Sequence, residues 1–172
     1  MHIDRSERIY IVGTLVLLTI FAAAVLISGF AYGIQVPEPY DKVDPRTVAT
    51  PGVSPWGDPA EERIRELADN KYEIYVMAEM WKFSPGGMPP MGGGEPPIRI
   101  PAGSTVTFYV TSKDIQHGFK IQDTNINMMI LPGEVSKLTA TFDEPGIYQI
   151  LCTEFCGSNH HFMYGQIEVT EP

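Results

Sequence analysis

In Thr105-Val106-Thr107-Phe108-Tyr109-Val110-Thr111-Ser112 the side chains alternate with a period of two: Val106, Phe108 and Val110 fall on one face and Thr105, Thr107, Tyr109 and Thr111 on the other. Successive side chains of a β-strand face opposite ways, so this run predicts a strand with one buried face. Around it lie short β-branched or aromatic runs divided by turn residues: Tyr72–Met80, Ile98–Ile100, Gly118–Ile121, Val135–Phe142, Ile147–Leu151 and Gly165–Val169, with an extended piece around Asn125–Ile130. Pro132-Gly133-Glu134 and Pro145-Gly146 stand where hairpin or corner turns belong. Roughly seven strands in about 100 residues predict an all-β domain, a small antiparallel sandwich or barrel spanning residues 72–172. The Gly/Pro/Met cluster Ser84–Gly94 interrupts the strands and reads as a mobile surface loop. Met88 and Met91 within it could offer thioethers to soft copper, but no thiolate or imidazole stands nearby in sequence.

Upstream, residues 35–71 form a Pro-spaced linker, in which repeated prolines favour extended backbone. Inside it Asp58-Pro59-Ala60-Glu61 carries an N-cap acid, a first-turn proline and an early glutamate. With the stripe Ile64, Leu67 and Ala68, this predicts a short helix ending near Asp69-Asn70. Residues 9–34 contain no charged residue and carry interfacial-type aromatics near their ends, Tyr10 and Tyr32. About 20 apolar residues suffice to cross a bilayer core, so the run predicts one membrane-spanning helix. It is longer than the ~7–15 apolar residues of a cleaved signal peptide. Arg5 and Arg8 precede the span, whereas Lys42 and Arg46 come well after it. The positive-inside rule therefore places residues 1–8 in the cytoplasm and the β-domain in a periplasmic or extracellular space.

The length of 172 residues fits one ordinary domain plus an anchor and excludes a large multidomain enzyme. With 21 acidic and 12 basic residues the formal charge is -9, which disfavours a nucleic-acid partner and favours a basic one.

Chemistry concentrates in Leu151-Cys152-Thr153-Glu154-Phe155-Cys156-Gly157-Ser158-Asn159-His160-His161-Phe162-Met163. A Cys152–Cys156 disulfide would close a loop too short to gain much and would leave His160 and Met163 unexplained. A zinc site drawing on His117 would have no use for a thioether. Met163 alone could be core filler, and each histidine alone a surface residue. Together, thiolate, thioether and imidazole select copper. A mononuclear blue-copper site needs one Cys, two His and an axial Met, which His117, Cys156, His160 and Met163 satisfy, leaving Cys152 spare. Two thiolates four residues apart can instead bridge two coppers, with one imidazole on each, Met163 on one and a carbonyl from between the cysteines on the other. The spare cysteine discriminates one copper from two.

The pattern Cys152-x-Glu154-x-Cys156-Gly157-x-x-His160-x-x-Met163, preceded by Asp114-x-x-His117-Gly118-Phe119, resembles the binuclear copper A domain of subunit II of haem-copper cytochrome c oxidases. Asn125-x-Asn127 and Leu131-Pro132-Gly133-Glu134 extend the likeness, which runs from about Tyr72 onward. The resemblance implies a Greek-key cupredoxin β-sandwich. Its implied ligands are His117, Cys152, Glu154 through its backbone carbonyl, Cys156, His160 and Met163. It further implies electron input from a soluble cytochrome c or small copper protein, and output to haem in a separate catalytic subunit I that reduces oxygen to water and translocates protons. The Glu154 side chain matches the position that meets a magnesium ion at that subunit junction. Trp81, in the reduced aromatic run Met80-Trp81-Lys82-Phe83, is expected to pass electrons in, being the only tryptophan of residues 72–172. A packing role for that indole is the competing expectation. One span instead of two resembles the short ba3-type, B-family form. His161 has no ligand role to inherit. A copper A-containing nitric oxide reductase subunit, or a membrane-anchored blue-copper carrier, is the alternative.

Overall fold

A computed structural model describes residues 4–33 and 39–172, and divides the chain into an N-terminal unit and a β unit. Residues 1–3, the end of the expected span at Ile34 and residues 35–38 of the linker lie outside the described residues. In the first unit α1 runs Arg5–Ala31. The Asp4 carboxylate caps it by accepting the Ser6 N–H at 2.8 Å. Its 27 residues make it about 40 Å long at ~1.5 Å per residue, enough to cross a bilayer, and it buries none of its own side chains.

The β unit is two packed sheets. The strands are β1 Pro39–Lys42, β2 Ile64–Ala68, β3 Lys71–Glu79, β4 Lys82–Ser84, β5 Ile98–Pro101, β6 Ser104–Ser112, β7 His117–Ile121, β8 Asn127–Ile130, β9 Glu134–Phe142, β10 Gly146–Leu151 and β11 Tyr164–Thr170. One sheet has the order β1-β9-β6-β3-β2 with β4 on β3, and the other β5-β11-β10-β7-β8. The β3/β6 and β11/β5 pairs are parallel; the others run antiparallel. Parallel neighbours need a long crossover, and between β3 and β6 the chain leaves through β4 and visits β5 in the opposite sheet.

Between the sheets the inward faces interlock: Val106, Phe108 and Val110 of β6 meet Phe119 and Ile121 of β7, Ile150 of β10 and Ile167 of β11, all inaccessible to solvent. Phe108 lies 5.7 Å from Phe119 and 6.3 Å from Phe142, with Phe83 edge-on to Phe119 at 5.4 Å. At ~1.5–3 kcal/mol for each fully buried large side chain, this core accounts for a sandwich that needs no disulfide, and both cysteines are free.

Two expectations change. The Asp58-Pro59-Ala60-Glu61 segment makes only a 3-10 turn, Ala60–Arg63, and Ile64–Ala68 is strand β2, paired with β3 through Ile64↔Ile74. Unpaired acceptors along the β3 edge outweigh a local helix signal of one turn. Residues 39–71 of the expected linker are also part of the sandwich. They contribute β1 and a strap that covers the outer face of β6 and β3, burying Val48, Trp56, Met77, Tyr109 and Val135 in a second cluster. The outward face of β6 is therefore covered at one end: Tyr109 and Thr111 are buried, while Thr105 and Thr107 stay half-buried.

Candidate metal centre

His117 opens β7 with its ring wholly buried. Its Nε2 stands 2.8 Å from Asp114 Oδ1. Burial alone would raise the Asp114 carboxyl, but hydrogen bonds from His117, Met80 and Ile115 outweigh it and hold the group below its ordinary value. An ionised Asp114 keeps the proton on Nε2 and leaves the Nδ1 lone pair directed at Cys152 Sγ, 4.0 Å away.

β10 ends at Leu151, and the loop after it turns back on itself before β11. Cys152 N–H donates to the Met163 carbonyl at 3.2 Å and Met163 N–H to the His160 carbonyl at 3.0 Å, so both ends of the loop meet. Inside it, Cys152 and Cys156 sulfurs are 3.6 Å apart. Cys156 Sγ lies 3.4 Å from His160 Nδ1 and 3.6 Å from Met163 Sδ, and the Cys152 thiol donates to the Glu154 carbonyl at 3.2 Å. The structure thus gathers two sulfurs, two imidazoles, one thioether and one main-chain carbonyl. His117, Cys152 and Cys156 form a group whose ligand atoms lie within 4.8 Å of one another. Burial first, then the neighbouring Cys152, push the Cys156 thiol up to about 12. An apo chain keeps that proton, and a bound metal must displace it.

The fit to copper rests on the donors. A sulfur pair 3.6 Å apart is closer than twice a ~2.3 Å metal–thiolate bond, so both can reach one ion. The thioether and imidazoles are soft or borderline donors, and the set is too large for a tetrahedral zinc site.

Close packing holds the loop in place. A β-carbon at Gly118 would fall 2.2 Å from Thr153 Oγ1 and 2.6 Å from its main-chain nitrogen, so only glycine lets β7 lie against the cysteine loop. Trp81, at the turn between β3 and β4, donates its Nε1–H to the Cys156 carbonyl at 2.8 Å. Its ring would stand 3.3 Å from a β-carbon on Gly157, a residue at φ +109°. The Glu154 carboxylate accepts from the Gln116 amide at 3.2 Å. His161 is exposed and lies ring-to-ring with Phe162 at 3.9 Å. Asp114 stands inside the sequence motif without a role there, and its acceptor duty to His117 emerges only from the fold. The same holds for Gly118. Trp56, counted with the linker, belongs to the β unit too.

The family profile for the cytochrome C oxidase subunit II periplasmic domain matches residues 64–170. The chain is 36% identical over 167 residues to cytochrome c oxidase subunit 2 of Thermus thermophilus, covering 96% of this chain and 92% of that one. Among solved structures it is similar to a chain of a haem-copper terminal oxidase dimer seen by cryo-electron microscopy, with TM-score 0.71 and 32% identity over 96% of this chain and 99% of the other. The periplasmic domain of subunit II of cytochrome oxidase from Bradyrhizobium japonicum shares the fold, with TM-score 0.50 and 22% identity over 58% and 83% of the two chains. The sandwich is cupredoxin-like, and the chain belongs to the cytochrome c oxidase subunit II family, a component of haem-copper oxidoreductase complexes.

Proposed function

We propose that this chain is the electron-input subunit of a respiratory haem-copper oxidase, and that it holds a binuclear copper A centre. It takes electrons from a soluble cytochrome c or small copper protein and passes them to haem in catalytic subunit I, where oxygen is reduced to water. The observation that carries this reading is the sulfur pair of Cys152 and Cys156, 3.6 Å apart and flanked by His117 and His160. A single blue copper would leave one of these sulfurs without a task. The ligands are His117, Cys152, the Glu154 carbonyl, Cys156, His160 and Met163. When bound, the copper pair supplies a one-electron site whose charge is spread over two ions, so little reorganisation accompanies transfer.

The chain's residues prepare that site. Asp114 fixes the His117 tautomer, Gly118 admits the cysteine loop, and the buried sulfurs keep water out. Trp81 bonds directly to the Cys156 carbonyl, a short covalent and hydrogen-bonded route from the indole to a ligand, which supports electron input there. Trp81→Phe is expected to slow donor-to-copper transfer at unchanged copper content; an unchanged rate leaves Trp81 a packing residue. The Glu154 carboxylate, steadied by Gln116, is the group proposed for magnesium at the subunit junction. The helix α1 anchors the chain in the cell membrane as a single span, N-terminus cytoplasmic and β unit periplasmic.

Electron paramagnetic resonance of the copper-loaded full-length chain tests the centre. Hyperfine coupling to two equivalent copper nuclei is expected, and coupling to one nucleus would return the site to the blue-copper reading.

A further inference from the structure

Resting on the binuclear reading, we propose that the Gly/Pro/Met loop between β4 and β5 is a clamp on Met163: the Met88 main-chain N–H and the Gly87–Gly165 contact position the thioether and so set the reduction potential of the centre.

The composition of this loop predicts a mobile surface loop, but Ser84–Gly87 are buried and the main chain is tied to the site. Gly86 N–H donates to the Pro96 carbonyl at 3.0 Å, closing the loop's base. The Gly86 carbonyl accepts from Gln166 N–H at 2.9 Å, and Met88 N–H donates to the Tyr164 carbonyl at 3.1 Å. Gly87 and Gly165 face each other as an antiparallel bridge. Residues 86–88 therefore add a short ladder to the very start of β11, directly after Met163. Three glycines make the approach possible. A β-carbon at Gly165 would stand 2.4 Å from the Gly86 oxygen, one at Gly87 2.4 Å from the Phe83 oxygen, and one at Gly92 2.6 Å from the Gly87 carbonyl carbon. The far side is held by the Lys82–Glu95 ion pair at 2.8 Å and by Gly92 N–H to the Met88 carbonyl at 2.8 Å.

Met163 is thus fixed from three directions. Cys152 N–H holds its carbonyl, the His160 carbonyl holds its N–H, and the clamped Tyr164 fixes the chain beyond it. A thioether is a weak donor to copper whose position the chain must impose, and such weak donation would tune the potential of a copper held here. Donation stabilises the oxidised state more than the reduced one, so a looser Met163 raises the potential.

The test uses the full-length, copper-loaded chain and three variants, read by copper stoichiometry, paramagnetic resonance and redox titration. Met88→Pro removes the donor to Tyr164. Gly165→Ala forces the loop away from β11. Met88→Leu keeps the N–H and removes only the sulfur. The first two are expected to retain two coppers with altered hyperfine coupling and a potential higher by ~60 mV, a tenfold shift of a one-electron equilibrium. Met88→Leu is expected to match the unmodified chain. Unchanged potentials in Met88→Pro and Gly165→Ala overturn the clamp. An equal shift in Met88→Leu overturns it too, since the sulfur would then be what acts. Loss of copper or of the fold in both clamp variants also overturns it, making the loop a support of the sandwich. An unmodified chain that couples to one copper nucleus fails the binuclear reading instead, while the comparison among variants still reports on Met163.

Discussion

Imidazole has two nitrogens, and at His117 the fold gives them different partners. Nε2 is engaged by Asp114, itself fixed by the Met80 and Ile115 N–H groups at 2.7 Å each, which leaves Nδ1 for the sulfur side. Carboxylate partners of ligating histidines are worth ~10–100-fold in metal affinity. Asp114→Ala is therefore expected to weaken copper binding by about that factor, measured by competition with a chelator, while the β-sheet signal in circular dichroism persists. A second carboxylate acts on the hydroxyls around it. Glu73 accepts from both Tyr75 and Tyr109 hydroxyls at 3.1 Å, and the two rings stack at 4.9 Å. Burial, then the Glu73 charge, push Tyr75 up to about 12; burial, then the Glu73 hydrogen bond, do the same for Tyr109. Because the folded values lie above the ordinary ~10, the folded chain binds more protons than the unfolded one between pH ~10 and about 12. Stability present below pH ~10 should be lost across that window. Thermal melting against pH should show the loss, and Tyr75→Phe with Tyr109→Phe should flatten it. The sequence motif displays the donors from Cys152 to Met163 because they lie on one loop. It cannot display Gly118 in its role, since this arises from a loop 35 residues downstream folding against β7, nor Asp114 in its own, since its carboxylate is set toward His117 with help from the Met80 N–H, 34 residues upstream.

Among the elements, those with a period of two and a turn at each end are readable. β3, β5, β6, β7, β9, β10 and β11 coincide with the expected strands to within one residue at each end, and the piece around Asn125–Ile130 narrows to β8. β1, β2 and β4 carry no such period. β1 is four exposed residues beginning with a proline, held by its register with β9, and β2 carries a helix-like stripe overruled by pairing with β3. The strap runs between these two strands, and its worth can be measured at Trp56. Its indole is 5% exposed, lies edge-on to Tyr75 at 5.4 Å and donates to the Val76 carbonyl at 3.0 Å. Truncating a buried tryptophan leaves a cavity and an unmet acceptor, at a cost of ~3–5 kcal/mol. Trp56→Ala should lower the unfolding free energy by about that much in chemical denaturation. Copper stoichiometry at low temperature should not change, because the strap packs on the outer face of the β3/β6 sheet, opposite the core that leads to the sulfurs. A variant that keeps its stability would mean the strap is a spacer after all.

At the scale of the molecule two features bear on how the proposed donor would arrive, and they favour different physics. Residues 1–8 balance, Asp4 and Glu7 against Arg5 and Arg8, so the whole formal charge of -9 belongs to residues 9–172. Such an excess steers a basic partner from beyond contact distance, and salt screens it over a Debye length of ~8 Å at physiological ionic strength. Yet the apolar one of the three side chains between the two cysteines is Phe155, 79% exposed and 5.9 Å from the His160 ring, a contact surface that salt leaves untouched. Steering acts on the approach and apolar contact on the lifetime of the complex, so association and dissociation should separate experimentally. Stopped-flow reduction of the copper-loaded chain by a basic cytochrome c should show a second-order rate that falls about tenfold or more between ~0.01 and ~0.15 M salt. The rate within the complex should stay constant over the same range. A flat second-order profile would mean that the acidic surface does not guide the donor and that contact at the apolar residues around His160 decides the encounter.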